Sequence, residues 1–254
     1  MKTVLLFFFL GLTMIVLSPL GLVSLLLNFV RLRRPMAFLI YKIAQGWAQF
    51  VILCAGCSMT VTGREQIPKE GGVCFVSNHG SIFDIVLHLA YIGRPIGFIA
   101  KKELIYIPLL NMWISLLGGL FIDRKNVRNA VRTINKGIAR IKAGSGMIIF
   151  PEGHRSRNQG LLPFHSGSFK LATQAGAPII PVAIIGSYDV FERHYLVNAV
   201  PVEIHFGEPV PTAGLSAEDR RQRLSDRVYR IIDAALKAGH REGFSKSPSE
   251  NADP

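Results

Sequence analysis

The chain is poor in cysteine, poor in acid, and uncharged over most of its first thirty residues, and each shortage excludes something. Three cysteines in 254 residues, Cys54, Cys57 and Cys74, cannot build an even-numbered disulfide framework. Cys54 and Cys57 spell C-x-x-C, yet no second pair lies close enough in sequence for a zinc site, and their setting, FVILCAGCSM, is largely apolar. They read as buried small residues in a reducing, cytoplasm-facing protein. Seventeen acidic residues against 29 Lys and Arg leave a formal charge of +12, which favours anionic partners: nucleic acid, an anionic membrane face, or phosphorylated ligands. Nucleic acid is disfavoured, because no aromatic-rich basic stacking motif or recognition-helix signature is present. A G-x-S-x-G elbow is also missing, which removes the serine lipid hydrolases.

From Thr3 to Val30 no residue is charged, and this run of about 28 residues exceeds the roughly 20 that span a bilayer. It is too long for a signal-peptide core and lacks a small-x-small cleavage pattern before Arg31, so it reads as an uncleaved anchor. Arg31, Arg33 and Arg34 follow at once, and the positive-inside bias puts the remainder in the cytoplasm, at the inner membrane. A second apolar stretch, residues 36–59, carries Lys42, Trp47 and glutamines; it fits a tilted second span or, better, a helix lying at the interface.

Beyond residue 58 short β-like runs alternate with helical ones. Strands are predicted at 58–63, 72–78, 96–100, 119–124, 146–152, 178–185 and 200–207. The alternation implies an α/β fold: a mixed, largely parallel-type sheet flanked by helices and preceded by the N-terminal helical segment. The expected organisation is 1–58 membrane-anchoring or interfacial helices, 59–238 a single catalytic-sized domain with a last helix at about 217–237, and 239–254 a polar, disordered tail. Residues 126–144 predict an amphipathic helix. Val127, Val131, Ile134, Ile138 and Ile141 would face the core, with Arg128, Arg132, Lys136 and Arg140 outward.

Three strand ends carry unusual polar residues. In SNHGSIFD (77–84), His79 and Asp84 are five apart, which on one helix would separate them by about 140°. They can meet only if His79 lies in the turn before the helix and Asp84 in its first turn; Gly80 permits that turn and Ser81 suits the N-cap. The same residues also form an ordinary capping box, S81-x-x-D84, so this stretch alone leaves both accounts open. In GGLFIDRKN (118–126), Arg124 ends an apolar strand, where its planar fork suits a phosphate or where Asp123 pairs with it as a surface ion pair. In MIIFPEGHRSR (147–157), Glu152, Gly153, His154 and Arg155 crowd the loop after a buried strand. Gly153 would open backbone N–H groups to an anion and the arginines would hold it.

Taken in order, H79-x4-D84, the G-x-x-F-I-x-R of 118–124, the F-P-E-G-x-R-S of 150–156 and the IIPVAI of 179–184 resemble the four motifs of the glycerophospholipid acyltransferases. The group they most resemble is the bacterial 1-acylglycerol-3-phosphate (lysophosphatidic acid) acyltransferases. The resemblance covers roughly residues 60 to 210. It implies that His79 is the general base for the acceptor's free sn-2 hydroxyl, with Asp84 orienting it. It further implies that Arg124, Glu152, Gly153 and Arg155 bind the glycerol phosphate and that Pro181 shapes an acyl pocket. The donor would be an acyl-CoA or acyl carrier protein thioester, the product phosphatidic acid, and no cofactor or metal is implied. His154 and the F164-H165-S166-G167 run depart from the family pattern beside the phosphate residues. Another lysolipid acceptor, such as lyso-ornithine lipid, therefore stays open, as does, further off, a non-catalytic lipid-binding protein.

Overall fold

The computed structural model describes residues 2–27, 33–157, 160–216, 219 and 223–243. Every predicted strand is present: β1 Ser58–Thr62, β2 Val73–Ser77, β3 Ile96–Lys101, β4 Leu120–Ile122, β5 Gly146–Ile149, β6 Ile179–Ile185 and β7 Pro201–Phe206. They form one sheet in the order β1-β7-β6-β2-β5-β3-β4. All neighbours are parallel except β6 and β7. The central strands β2, β5 and β6 are buried at every position, as expected of apolar runs covered on both faces. Because β2 through β6 run the same way, their carboxyl ends share one edge, where open α/β sheets place their ligands.

Two layers of helix cover the sheet. On one face lie α1 (Lys2–Leu27), α2 (Arg33–Ala55) and α3 (Phe83–Tyr91), packed over Phe75, Ile180 and Val182. On the other lie α5 (Val127–Lys142), α6 (Lys170–Ala175) and α8 (Leu224–Gly243), over Cys74, Val76 and Ile179. The short helices α4 (Leu110–Leu116) and α7 (Ser187–Val190) precede β4 and follow β6. Helix α8 runs to Gly243, so residues 239–243 are helical and do not begin a disordered tail; 244–254 lie outside the described residues, as do Arg31 and the expected last-helix start at Ala217.

Helices α1 and α2 are each long and apolar enough to cross a membrane. Both nevertheless pack on the domain. Near its start α1 sets Phe7 against Phe191 at 5.2 Å, and Thr3 Oγ1 accepts the Val197 N–H at 2.8 Å. Near its end Gly21 lies against Met112 and Leu116 of α4. A helix held at both ends lies along the domain and does not stand off it as a free anchor. The polar residues of α2 have an internal purpose: Tyr41 donates to Leu89 O, and Gln45 and Gln49 to Ala90 O, satisfying carbonyls in the last turn of α3. Trp47 donates to Thr13 of α1 at 2.9 Å.

Helix α5 departs from expectation. Ile138 and Ile141 are buried, but Val127 is 75% and Val131 52% exposed. A helix of 16 residues is about 24 Å long, whereas the four residues of β5 span about 13 Å, so the first turns of α5 overhang the sheet. Arg140 is not on the outer stripe either; it is half-buried and donates to Gly118 O. That carbonyl closes on Gly97 of β3, where a Cβ would sit 2.1 Å from it and 2.9 Å from Met147 Sδ. Gly97→Ala is therefore expected to lower unfolding free energy by about 2 kcal/mol or more, read by urea denaturation. An unchanged midpoint would contradict this packing.

Candidate active site

The site begins where β2 ends. Asn78 extends the β2–β6 pairing with its side chain, donating to Ile184 O and accepting from Ile184 N, both at 2.8 Å. This fixes the chain just before the turn and delivers His79 over the sheet edge. Asp84, in the first turn of α3 and 0% exposed, then reaches back. Its Oδ2 accepts from His79 Nδ1 at 2.8 Å and from the Gly80 and Ser81 N–H groups at 2.9 Å each. A carboxylate oxygen can only accept, so Nδ1 carries the imidazole proton and Nε2 is the basic nitrogen. Ser81 Oγ accepts the Phe83 N–H at 3.0 Å. The expected capping box is only half formed, since Ser81 Oγ takes the Phe83 N–H and the helix N-cap is Ile82, but Asp84 Oδ2 still holds the Ser81 N–H together with His79.

The imidazole is held from a second side. His79 stacks on Phe150, ring centroids 4.1 Å apart and 20° from coplanar, and its side chain is 20% exposed, so one edge remains open. His88, fully buried, meets the other part of Phe150 edge-on and donates from Nδ1 to Asp84 O at 2.6 Å. Burial pulls its pKa down to about 4, which keeps it neutral: a core histidine, as its place on an apolar helix suggests.

The loop after β5 brings the next residues. Phe150 O accepts the Gly153 N–H at 3.1 Å, closing a turn in which Gly153 takes φ +79°, and Ser156 N donates to His79 O at 2.8 Å. Glu152 is almost wholly buried; Oε1 accepts the His79 N–H at 2.6 Å and Oε2 the Leu162 N–H at 3.1 Å. Both Glu152 oxygens are thus engaged by backbone N–H groups, and the carboxylate braces the chain at His79. Arg124 donates to Gly153 O, not to Asp123, which pairs with Lys102 at 2.7 Å and raises that ammonium's pKa. A Cβ on Gly153 would lie 3.3 Å from the His165 ring and 3.5 Å from Arg124, so both side chains converge there. Arg155 projects from the same loop, 40% exposed, and pairs with Glu192 at 3.0 Å.

His79, Asp84, Arg124, Glu152, Gly153 and Arg155 therefore gather at one sheet edge. Pro181 does not join them. It sits mid-strand in β6 and, by alternation with Ile179 and Ala183, faces α5, α6 and α8, on the side of the sheet away from α3. Sequence reasoning missed Asn78, Phe150 and Glu192. Phe150 lies within the third motif, whereas Glu192 is 111 residues from the serine it contacts and carries no local signal.

The family model described as Acyltransferase matches residues 58–185, from β1 through β6, which covers His79, Asp84, Arg124, Glu152, Gly153 and Arg155 but stops short of Glu192. The chain belongs to the acyltransferase family. Among curated relatives, the 1-acyl-sn-glycerol-3-phosphate acyltransferase of Borreliella burgdorferi is 30% identical over 172 residues, 67% of this chain and 69% of that one. The human 1-acyl-sn-glycerol-3-phosphate acyltransferase alpha is 33% identical over 178 residues, 68% of this chain and 62% of its own. Among solved structures, the 1-acyl-sn-glycerophosphate (LPA) acyltransferase PlsC of Thermotoga maritima superposes with a TM-score of 0.81 at 28% identity, covering 96% of this acyltransferase and 97% of PlsC.

In this acyltransferase, burial pushes the Glu152 carboxyl up to about 7 against the opposing pull of the His79 and Leu162 N–H groups. The folded protein then holds that proton more tightly than the unfolded chain. The stability so gained is complete below the ordinary value of 4.5 and is lost as pH rises through about 7. Glu152→Gln does not titrate, so its cost in urea unfolding should shrink from about pH 5 to about pH 8. A cost that grows with pH would contradict the placement of this carboxyl.

Proposed function

We propose that this acyltransferase moves a fatty acyl group from acyl-CoA or acyl carrier protein to the free sn-2 hydroxyl of 1-acylglycerol-3-phosphate, giving phosphatidic acid. The observation that carries the proposal is the His79–Asp84 contact with Nε2 left open, on the same sheet edge as Arg124 and Arg155. Nε2 removes the hydroxyl proton as the oxygen attacks the thioester carbonyl carbon. The resulting imidazolium keeps its Nδ1–H on Asp84, which stabilises the charge. As the tetrahedral intermediate collapses, the C–S bond breaks and Nε2 returns the proton to the leaving thiolate. The products are the ester and a free thiol, and the transfer uses only the thioester co-substrate.

Two exposed guanidiniums suit the acceptor's phosphomonoester, since Arg binds phosphate oxygens through paired N–H groups. They favour a phosphate headgroup over a lysolipid without one. The names of the relatives support the same acceptor. The acceptor would come from the bilayer: α1 carries exposed Phe8, Leu12, Ile15 and Val16, and its start packs on the 191–197 segment beside the site, where Tyr195 and Leu196 are also exposed. We place this apolar surface in the inner membrane, with the domain on the cytoplasmic side.

Purified His79→Ala should lose transfer by about 10³-fold while remaining membrane-associated. The assay is run with lysophosphatidic acid and a panel of other lysolipids, each with acyl-CoA and acylated carrier protein. Full activity of the variant would sink the mechanism, and parent turnover confined to a headgroup without phosphate would sink the acceptor.

A further inference from the structure

Glu192 follows α7 on the segment leading to β7, outside the four motifs, yet it is the point where two of them are tied together. Its side chain is 7% exposed. Oε2 accepts from Ser81 Oγ at 2.6 Å; Oε1 accepts from the Ile82 N–H at 2.6 Å and from Arg155 Nη1 at 3.0 Å. Ser81 Oγ has one proton and gives it to Glu192 while accepting from Phe83, so the hydroxyl's orientation is fixed. The turn bearing His79 is thereby held from two directions, by Asp84 through the Gly80 and Ser81 N–H groups and by Glu192 through Ser81 Oγ and the Ile82 N–H. Arg155 would otherwise be a long side chain free to rotate in solvent. Paired with a nearly buried carboxylate, it has one nitrogen engaged and no other hydrogen-bond partner among the described residues.

We infer that Glu192 is a positioning residue that sets the separation between the base at His79 and the acceptor-binding guanidinium of Arg155. This rests on the proposal that Arg155 holds the acceptor's phosphate. Acceptor hydroxyl and phosphate are joined through a short glycerol backbone, so a fixed distance between base and anion site determines whether a bound molecule is also a reactive one. Glu192 achieves this by sharing one carboxylate between the two parts. A neutral amide cannot do the same: in Glu192→Gln the side chain would offer one oxygen to three donors, and its NH2 would face either the guanidinium or donors of the turn.

The test is a kinetic cycle on the purified full chain with lysophosphatidic acid vesicles and acyl-CoA, using Glu192→Gln, Arg155→Ala and the double variant. Glu192→Gln should raise KM for the acceptor roughly tenfold and leave KM for acyl-CoA within about twofold. In the Arg155→Ala background it should no longer change acceptor KM, while still lowering kcat through the turn. Glu192→Asp, which keeps the charge, should recover part of the acceptor KM; a residue important only for folding would not separate the two KM values this way. If Arg155→Ala raises acceptor KM and Glu192→Gln does not, or if the two effects multiply independently, the role of Glu192 is overturned. If Arg155→Ala itself leaves acceptor KM unchanged, the phosphate assignment fails instead. Should Glu192→Gln fail to fold, Ser81→Ala and Arg155→Lys carry the same comparison, with coupled effects on acceptor kcat/KM expected and independent ones contradicting the inference.

Discussion

The site depends on one oxygen atom. Asp84 Oδ2 accepts the imidazole N–H of His79 and two successive backbone N–H groups, so one buried oxygen satisfies all three donors of the SNHGSIFD turn. The backbone contacts hold the carboxylate in place, and the carboxylate then decides which imidazole nitrogen is basic. The fold of the turn and the orientation of His79 are therefore coupled at a single group. The carboxylate that holds the backbone at the start of α3 also orients the imidazole of His79. The open Nε2 edge of His79 is the chemical consequence.

Around that oxygen, two further carboxylates accept from backbone and side-chain donors. Glu152 holds the His79 N–H from below, and Glu192 holds the outside of the same turn together with Arg155. A site that binds a phosphate would be weakened by acidic groups pointed into it. Here each glutamate is turned toward N–H groups or a guanidinium, while Arg124 and Arg155 stay exposed, as the proposed phosphate site requires. Burying these carboxylates costs stability, most visibly at Glu152, whose carboxyl gives up its proton only near neutrality. What that cost maintains is a fixed geometry, which the proposed direct transfer between two bound substrates requires.

Much of this was legible in the sequence because it is written in local patterns. Alternating apolar runs bounded by Gly and Pro located every strand, and the order of polar strand ends indicated one shared edge. Pairwise contacts over long separations were not legible. Glu192 reaches Ser81 across 111 residues, and Asn78 reaches Ile184 across 106, with nothing in either neighbourhood to announce it. Periodicity also overreached at α5, where a correct helical stripe included Val127 and Val131, because a pattern reports which side is apolar and not how far the sheet beneath extends. Likewise, the polar residues of α2 resembled interfacial signals but serve the last carbonyls of α3. Pro181 belongs to a recognisable motif, yet its place in β6 turns it to the opposite face of the sheet from His79.

In the proposed reaction Asp84 orients His79 as the base, and single-turnover transfer by Asp84→Asn tests this most directly. The amide is neutral, so the imidazolium that forms as His79 takes the hydroxyl proton would lose the negative charge that stabilises it. With a circular dichroism spectrum matching the parent, the variant should transfer acyl groups about 10³-fold more slowly or worse. A rate within a few-fold of the parent would contradict the central claim.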